Sequence, residues 1–120
     1  MRIVSPEEAV AGIKSRDQVY VQMASAAPTA LLEALAARAP ELSDVGVIHL
    51  HMEGPTPHLA PEMAPHFRHR ALFIGPTARQ AVNEGRADFV PVFFSDIPAL
   101  FRTGAYPLDV VFANVTPPDS

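Results

Sequence analysis

No cysteine occurs in the 120 residues. Disulfides, thiolate nucleophiles and thiolate metal sites are thereby excluded. Lysine is almost missing too, with Lys14 alone, and the formal net charge is −4. Nucleic acid demands a basic face, so no nucleic-acid partner is expected. No apolar run approaches the roughly 18 residues of a membrane-spanning helix. The opening Met1-Arg2-Ile3-Val4-Ser5-Pro6 lacks the hydrophobic core of a secretory signal. No membrane role is expected, and the expected compartment is the cytoplasm. Several motifs are missing as well. Without Gly-x-Gly-x-x-Gly or a phosphate-loop lysine, neither dinucleotide binding nor nucleotide hydrolysis is supported. Without a Gly-x-Ser-x-Gly elbow, serine-hydrolase chemistry is discounted. There are no internal repeats and no low-complexity tract.

What the chain does have is apolar content, 48%, enough for one packed domain. It also has thirteen prolines, clustered between Pro55 and Pro65 and at the C-terminus. The stretch from Phe73 to Pro98 organises the rest. An apolar run, Ala71–Ile74, stops at the turn Gly75-Pro76. Pro76 or Thr77 opens a helix whose Ala78, Ala81 and Val82 share one face, and Gly85 suits its left-handed terminator. A strand over roughly 89–94 follows. Strand, helix and strand in this order form a parallel crossover unit.

The remaining elements alternate in the same way. Ser5-Pro6-Glu7-Glu8 reads as a capping box for a helix expected to end near Ser15. Gln18–Met23 alternates like a strand. Pro28 or Thr29 starts a helix with Leu31, Leu32 and Leu35 on its buried side. Val45–Leu50 has strand length. Residues 52–67 carry four prolines and no periodicity, and loops of that length are often functional. Ser95-Asp96 is expected to cap a helix presenting Ile97, Leu100 and Phe101, ended by Gly104, and Val110–Ala113 is a last strand. The fold class expected is α/β: an open, mainly parallel sheet of about five strands with helices on both faces.

Five histidines, His49, His51, His58, His66 and His69, fall close together in sequence. They could ligate a divalent ion, or simply occupy half-buried positions; no His-Glu-x-x-His helix organises them, and no metal is assigned. The turn at Gly75-Pro76-Thr77 is either an anion site at a helix start, with Arg79 nearby, or a plain structural turn. The arginines of the second half are read as ion-pair formers. Phe67, Phe73, Phe89, Phe93, Phe94 and Phe101 are read as core.

The run Pro61-Glu62-Met63, His66-Phe67-Arg68-His69, Arg79-Gln80-Ala81-Val82-Asn83-Glu84-Gly85-Arg86-Ala87-Asp88-Phe89-Val90-Pro91-Val92-Phe93 and Ser95-Asp96-Ile97-Pro98 resembles the N-terminal domain of the acetyl-CoA hydrolase/transferase family. The 4-hydroxybutyrate CoA-transferase-like members are the most similar in pattern. The resemblance also takes in Ser5–Val10, Leu31–Leu35 and Pro107–Asp119, and so nearly the whole chain. It implies movement of CoA between short-chain carboxylic acids through a glutamate nucleophile, with coenzyme A as cosubstrate and no covalently bound cofactor. The implied partners are acyl-CoA, a carboxylic acid, and a C-terminal domain or a homo-oligomer mate. In that family the catalytic glutamate and a glycine-rich CoA segment lie in a C-terminal half, so residues 1–120 are expected to be a truncated domain with no catalytic residue of its own. Loops Ala24–Pro28, Met52–Thr56 and Gly75–Arg79 are expected to face the cleft. Ser25, Gly75, Thr77 and Arg79 are then the expected substrate- and CoA-binding residues. The alternatives are a non-catalytic module binding acyl-CoA or a small anion, and a non-functional remnant.

Overall fold

The computed structural model describes residues 2–117. Five parallel strands form one open sheet, β1 (Gln18–Val21), β2 (Val45–His49), β3 (Phe67–Ala71), β4 (Ala87–Phe89) and β5 (Val110–Phe112), in the order β4-β3-β2-β1-β5. The expected α/β class and open sheet are therefore seen, with every pairing parallel.

Register fixes what each face carries. Val19 lies beside Val47, Val47 beside His69, and His69 beside Ala87. Because side chains alternate along a strand, Val19, Val21, Val45, Val47, His49, Phe67, His69 and Ala71 share one face. That face carries the main core. Helices α1 (Pro6–Val10) and α2 (Thr29–Ala37) supply Val10, Leu32 and Leu35 to it, all at most 1% exposed. Burying Leu32 and Leu35 contributes about 1.5–3 kcal/mol each. Helix α3 (Pro76–Asn83) joins the same face further along, where Ala78 and Ala81 pack with Leu59, Ala71 and Ala87. The residues there are mostly alanine, so helix and sheet approach closely.

The opposite face presents Gln18, Tyr20, Gly46, Ile48, Arg68, Arg70 and Asp88. After β4 the chain returns past three strands to pair β5 with β1, which brings helix α4 (Ile97–Arg102) onto this second face. Phe101 meets Tyr20 there edge to face, ring centroids 5.5 Å apart. Both faces thus carry helix, but unequally: α4 has no buried residue.

Local expectations fare unevenly. Ser5 and Glu8 form the capping box. The helix ends at Val10 rather than Ser15, because the Arg38 guanidinium donates to the carbonyls of Val10 and Ile13 and closes it there. Gly85 and Gly104 take positive φ, 73° and 75°, just past α3 and α4. Ser95 and Asp96 do not cap α4: no side-chain cap bond is made, and Phe94–Asp96 forms a 3-10 turn before it. The segment between β2 and β3 holds two further 3-10 turns, Pro57–Leu59 and Pro61–Met63, each opened by proline.

The third and fourth strands begin earlier than expected. β3 is Phe67–Ala71 rather than the apolar run Ala71–Ile74, and β4 is Ala87–Phe89 rather than 89–94. The phenylalanines split accordingly. Phe67 is core, Phe101 is partly buried, and Phe73, Phe89, Phe93 and Phe94 are exposed. No helix among the described residues is long and apolar enough to cross a membrane.

Candidate functional site at the carboxyl edge of the sheet

In an open parallel sheet, ligands bind beyond the carboxyl ends of the strands, where helix N-termini and loops converge. Three such loops meet here. The chain leaving β1 forms a parallel bridge from Ala24 to Met52, beyond β2. Ala24 N–H donates to the His51 carbonyl at 2.7 Å. The chain leaving β3 reaches Gly75 and then α3, and Thr77 Oγ1 lies 3.4 Å from the Met52 carbonyl. Met52 is 1% exposed and is the junction of the three.

Two backbone features mark the junction. Ala24 has φ +58°, a left-handed conformation that alanine adopts only at a cost. At Gly75 the His51 imidazole occupies the space a Cβ would need, while the φ of Gly75 is an ordinary −81°. His51 also faces Glu53, Nε2 to Oε1 3.8 Å, and meets Phe73 edge to face with centroids 5.9 Å apart.

The four residues expected from sequence occupy this edge unequally. Gly75 and Thr77 are at the junction. Ser25 follows Ala24 in the β1 loop and is exposed. Arg79 is exposed on α3 and takes part in no ion pair among the described residues. Beside Thr77 lies an open hollow of about 300 Å³, lined by Thr56, Leu59, Pro61, Thr77, Gln80 and Arg86. A more apolar hollow of about 600 Å³ lies at the β4 end between Phe89, Pro91, Phe93 and Leu100. A polar hollow of about 540 Å³, lined by Arg16, Gln18, Arg70, Tyr106 and Asp109, sits elsewhere, where β1 and β5 begin. The carboxyl edge is the candidate site, because the loops after β1, β2 and β3 converge there.

Of the five histidines, the structure gathers three. His49, His58 and His69 are each at most 2% exposed. His58 Nε2 and His69 Nδ1 share a hydrogen bond at 2.9 Å. The His49 and His69 rings are 4.2 Å apart. Burial above all, then the neighbouring imidazoles, pushes His49 down to about 4, His58 down to about 3, and His69 further still. They are neutral at pH 7. Among the described residues no group of three or more His, Asp or Glu side chains is placed to hold a metal ion. His66 is used separately, against the Leu42 carbonyl at 2.8 Å. Sequence reasoning missed the trio because His58 reaches His69 from a proline-bounded turn, a contact no periodicity announces.

Of the five second-half arginines, Arg68 and Arg86 form the expected ion pairs, and Arg70, Arg79 and Arg102 form none among the described residues. Arg68 pairs with Asp88 across β3 and β4, and holds that carboxyl below its usual range. Arg86 pairs with Glu84 and donates to the Leu59 carbonyl at 2.7 Å, tying the β2–β3 segment to the end of α3. Arg70 instead bonds Gln18.

The model of the acetyl-CoA hydrolase/transferase N-terminal domain matches residues 1–120. A succinyl-CoA:acetate/propanoyl-CoA:succinate CoA transferase of Fasciola hepatica is 39% identical over 115 residues, which is 94% of this chain and 24% of that protein. A 4-hydroxybutyrate coenzyme A transferase of Clostridium kluyveri is 36% identical over 118 residues, 98% of this chain and 28% of that protein. Among solved structures, RipA from Yersinia pestis superposes with a TM-score of 0.76 at 26% identity, over 90% of this chain and 27% of that one. A 4-hydroxybutyrate CoA-transferase from Porphyromonas gingivalis does so with a TM-score of 0.68 at 31% identity, over 92% and 24%. This chain therefore spans about a quarter of the length of the relatives it matches.

Proposed function

The chain belongs to the acetyl-CoA hydrolase/transferase family as its N-terminal domain, and from that premise we propose that it forms one wall of an acyl-CoA site and needs a C-terminal domain to turn over. The observation that carries this reading is the Met52 junction, where the loops after β1, β2 and β3 are bonded together at the carboxyl edge. Ser25, Gly75, Thr77 and Arg79 line that edge and contact acyl-CoA in this reading. The reaction is transfer of CoA between short-chain carboxylic acids, in keeping with the transfers named for the relatives. A cytoplasmic location fits such metabolites.

In this reading the domain alone is inactive, for a chemical reason. Exchange of CoA by covalent catalysis needs a carboxylate that attacks the thioester carbonyl and expels CoA thiolate. An acyl-glutamyl anhydride results. The thiolate then attacks the glutamyl carbonyl and releases the first acid, and the second acid takes up CoA by the reverse steps. Each tetrahedral stage needs oxyanion donors fixed in place. All seven glutamates of this chain are exposed. None is held in a water-excluding pocket, so the nucleophile belongs to another part of the enzyme.

The test is to incubate the chain with butyryl-CoA and acetate and follow acyl exchange by mass spectrometry. No turnover is expected from the chain alone. Weak acyl-CoA binding is expected, lowered by Thr77→Ala and Arg79→Ala. Adding a separately produced C-terminal half of a relative is expected to restore turnover. Turnover by the chain alone that survives Glu53→Gln, Glu62→Gln and Glu84→Gln would overturn the reading. Binding that no added domain converts into turnover would favour a non-catalytic acyl-CoA or small-anion module.

A further inference from the structure

We infer that His49, His58 and His69 are an acid-sensitive latch, which holds the segment between β2 and β3 against the sheet and releases it on taking up protons. The inference goes beyond the proposed function and stands on how that segment is attached.

Residues 54–64 are poorly tied by backbone. Pro55, Pro57 and Pro61 remove three donors. The backbone bonds that remain are local: Leu59 N–H to Thr56, Ala60 to Pro57, Met63 to Ala60, Ala64 to Pro61 and His66 to Met63. None reaches a strand. What fixes the middle of the segment is side-chain contact: Leu59 in the α3 cluster, Arg86 on the Leu59 carbonyl, and His58 on His69. His58 is the only one of these that enters the sheet face as a polar group. Its ring stacks on His69 with centroids 5.1 Å apart and planes inclined 27°.

The His58–His69 bond has a defined proton tolerance. It needs one nitrogen donating and one accepting. A single added proton leaves that possible. A second makes both facing nitrogens donors, and the bond becomes a repulsion. His49 is 4.2 Å from His69 ring to ring, and among the described residues neither of its nitrogens makes a hydrogen bond of normal geometry. His58 Nδ1 and His69 Nε2 likewise make none there. Only the adjacent Leu50 backbone favours charge on His49, and burial outweighs it. The charges acting on the trio are mutual, with His51 added against His49. The carboxylates on the packed elements are engaged or turned to solvent. Glu33 on α2 is exposed, Glu84 is paired with Arg86, Asp88 with Arg68 on the other face, and Glu53 faces His51. Arg79 on α3 is exposed and adds only positive charge.

The direction follows from linkage. These imidazoles titrate lower closed than open, where they return to about 6.5. The closed state is fully favoured above that value and loses ground as pH falls below it. Each participating histidine costs about tenfold in the closed-to-open ratio per pH unit.

Hydrogen exchange read by mass spectrometry on the 120-residue chain, corrected for intrinsic rates, tests the latch. Between pH 6 and 5 the opening of residues 54–64 is expected to rise about 100-fold, as two protons require. Protection of β1 and β2 should change less than tenfold. In His58→Phe/His69→Phe, whose rings fill the same space without titrating, the rise should fall to about tenfold or less, the most that His49 alone can supply. Unchanged opening in the native chain, or an equal rise in the double variant, overturns the proposal. So does unfolding of sheet and segment together. If the double variant does not fold, ring-proton NMR on the native chain decides. Buried-trio signals that titrate only as 54–64 opens support the latch; signals titrating near 6.5 in the closed chain overturn it.

Discussion

The His51 ring fills the space a side chain at Gly75 would need: a Cβ at position 75 would lie 2.8 Å from His51 Nδ1 and 3.0 Å from its Cε1. Gly75 has an ordinary φ of −81°, so the glycine is needed for room and not for conformation. Gly75→Ala is expected to destabilise by about 1–3 kcal/mol, the range for overpacking. His51→Ala in the same chain should remove most of that cost. A urea-denaturation cycle over the two sites measures the coupling. Equal costs of Gly75→Ala with and without the imidazole would show that the contact does not set the spacing of these loops.

Ala24 gives a second handle on the junction. Its φ of +58° is unfavourable for any residue with a Cβ. Ala24→Gly is expected to raise stability by about 0.5 kcal/mol: roughly 1–2 is recovered from the left-handed strain, offset in part by the greater freedom of unfolded glycine. If the strain presents the β1 loop to acyl-CoA, the same variant should bind more weakly while melting higher. Calorimetry and a binding titration on one preparation compare the two.

The junction was half legible in the sequence. Gly75-Pro76-Thr77 announced a turn into a helix, and Gly85 its end. Met52 announced nothing, because its role comes from bridging two loops whose strands are separated by a helix. The strand shifts have a physical cause too. β3 has buried Phe67, His69 and Ala71 alternating with Arg68 and Arg70. That pattern is a sheet strand with one apolar face, but histidine filling an inward position hides it from a search for apolar runs. Val90–Phe94 looks like a strand for the opposite reason. It is apolar, yet it leaves the sheet, and Phe93 and Phe94 face solvent.

Arg68 and Asp88 form the clearest cross-strand ion pair, but both are more than a third exposed. Hydrogen bonding from Arg68, then its charge, lowers the Asp88 carboxyl below its usual value. The pair therefore stabilises above the ordinary carboxylate range, and its contribution fades as pH falls through the lowered value. Solvent screening keeps it small. Asp88→Asn is expected to cost less than about 1 kcal/mol at low salt, and nearly nothing in 1 M salt. A loss of several kcal/mol that persists in salt would mean the pair is buried in solution.

The proline-rich segment Pro55–Pro65 buries His58 and Leu59 rather than presenting them. The exposed aromatic side chains cluster in sequence at and beyond the ends of β3 and β4: Phe73 at 55%, Phe89 at 47%, Phe93 at 80% and Phe94 at 71%. Exposed phenylalanines in such number commonly mark a covered surface in the working assembly. The isolated chain is expected to self-associate through them. Phe93→Ser/Phe94→Ser should shift sedimentation toward monomer and change stability by no more than about 0.5 kcal/mol per site, as exposed positions do. A drop of several kcal/mol would mean that these rings pack within the domain in solution. Unchanged self-association would move the contact elsewhere, with Val111 and Val115, 59% and 77% exposed near β5, as the next positions to substitute.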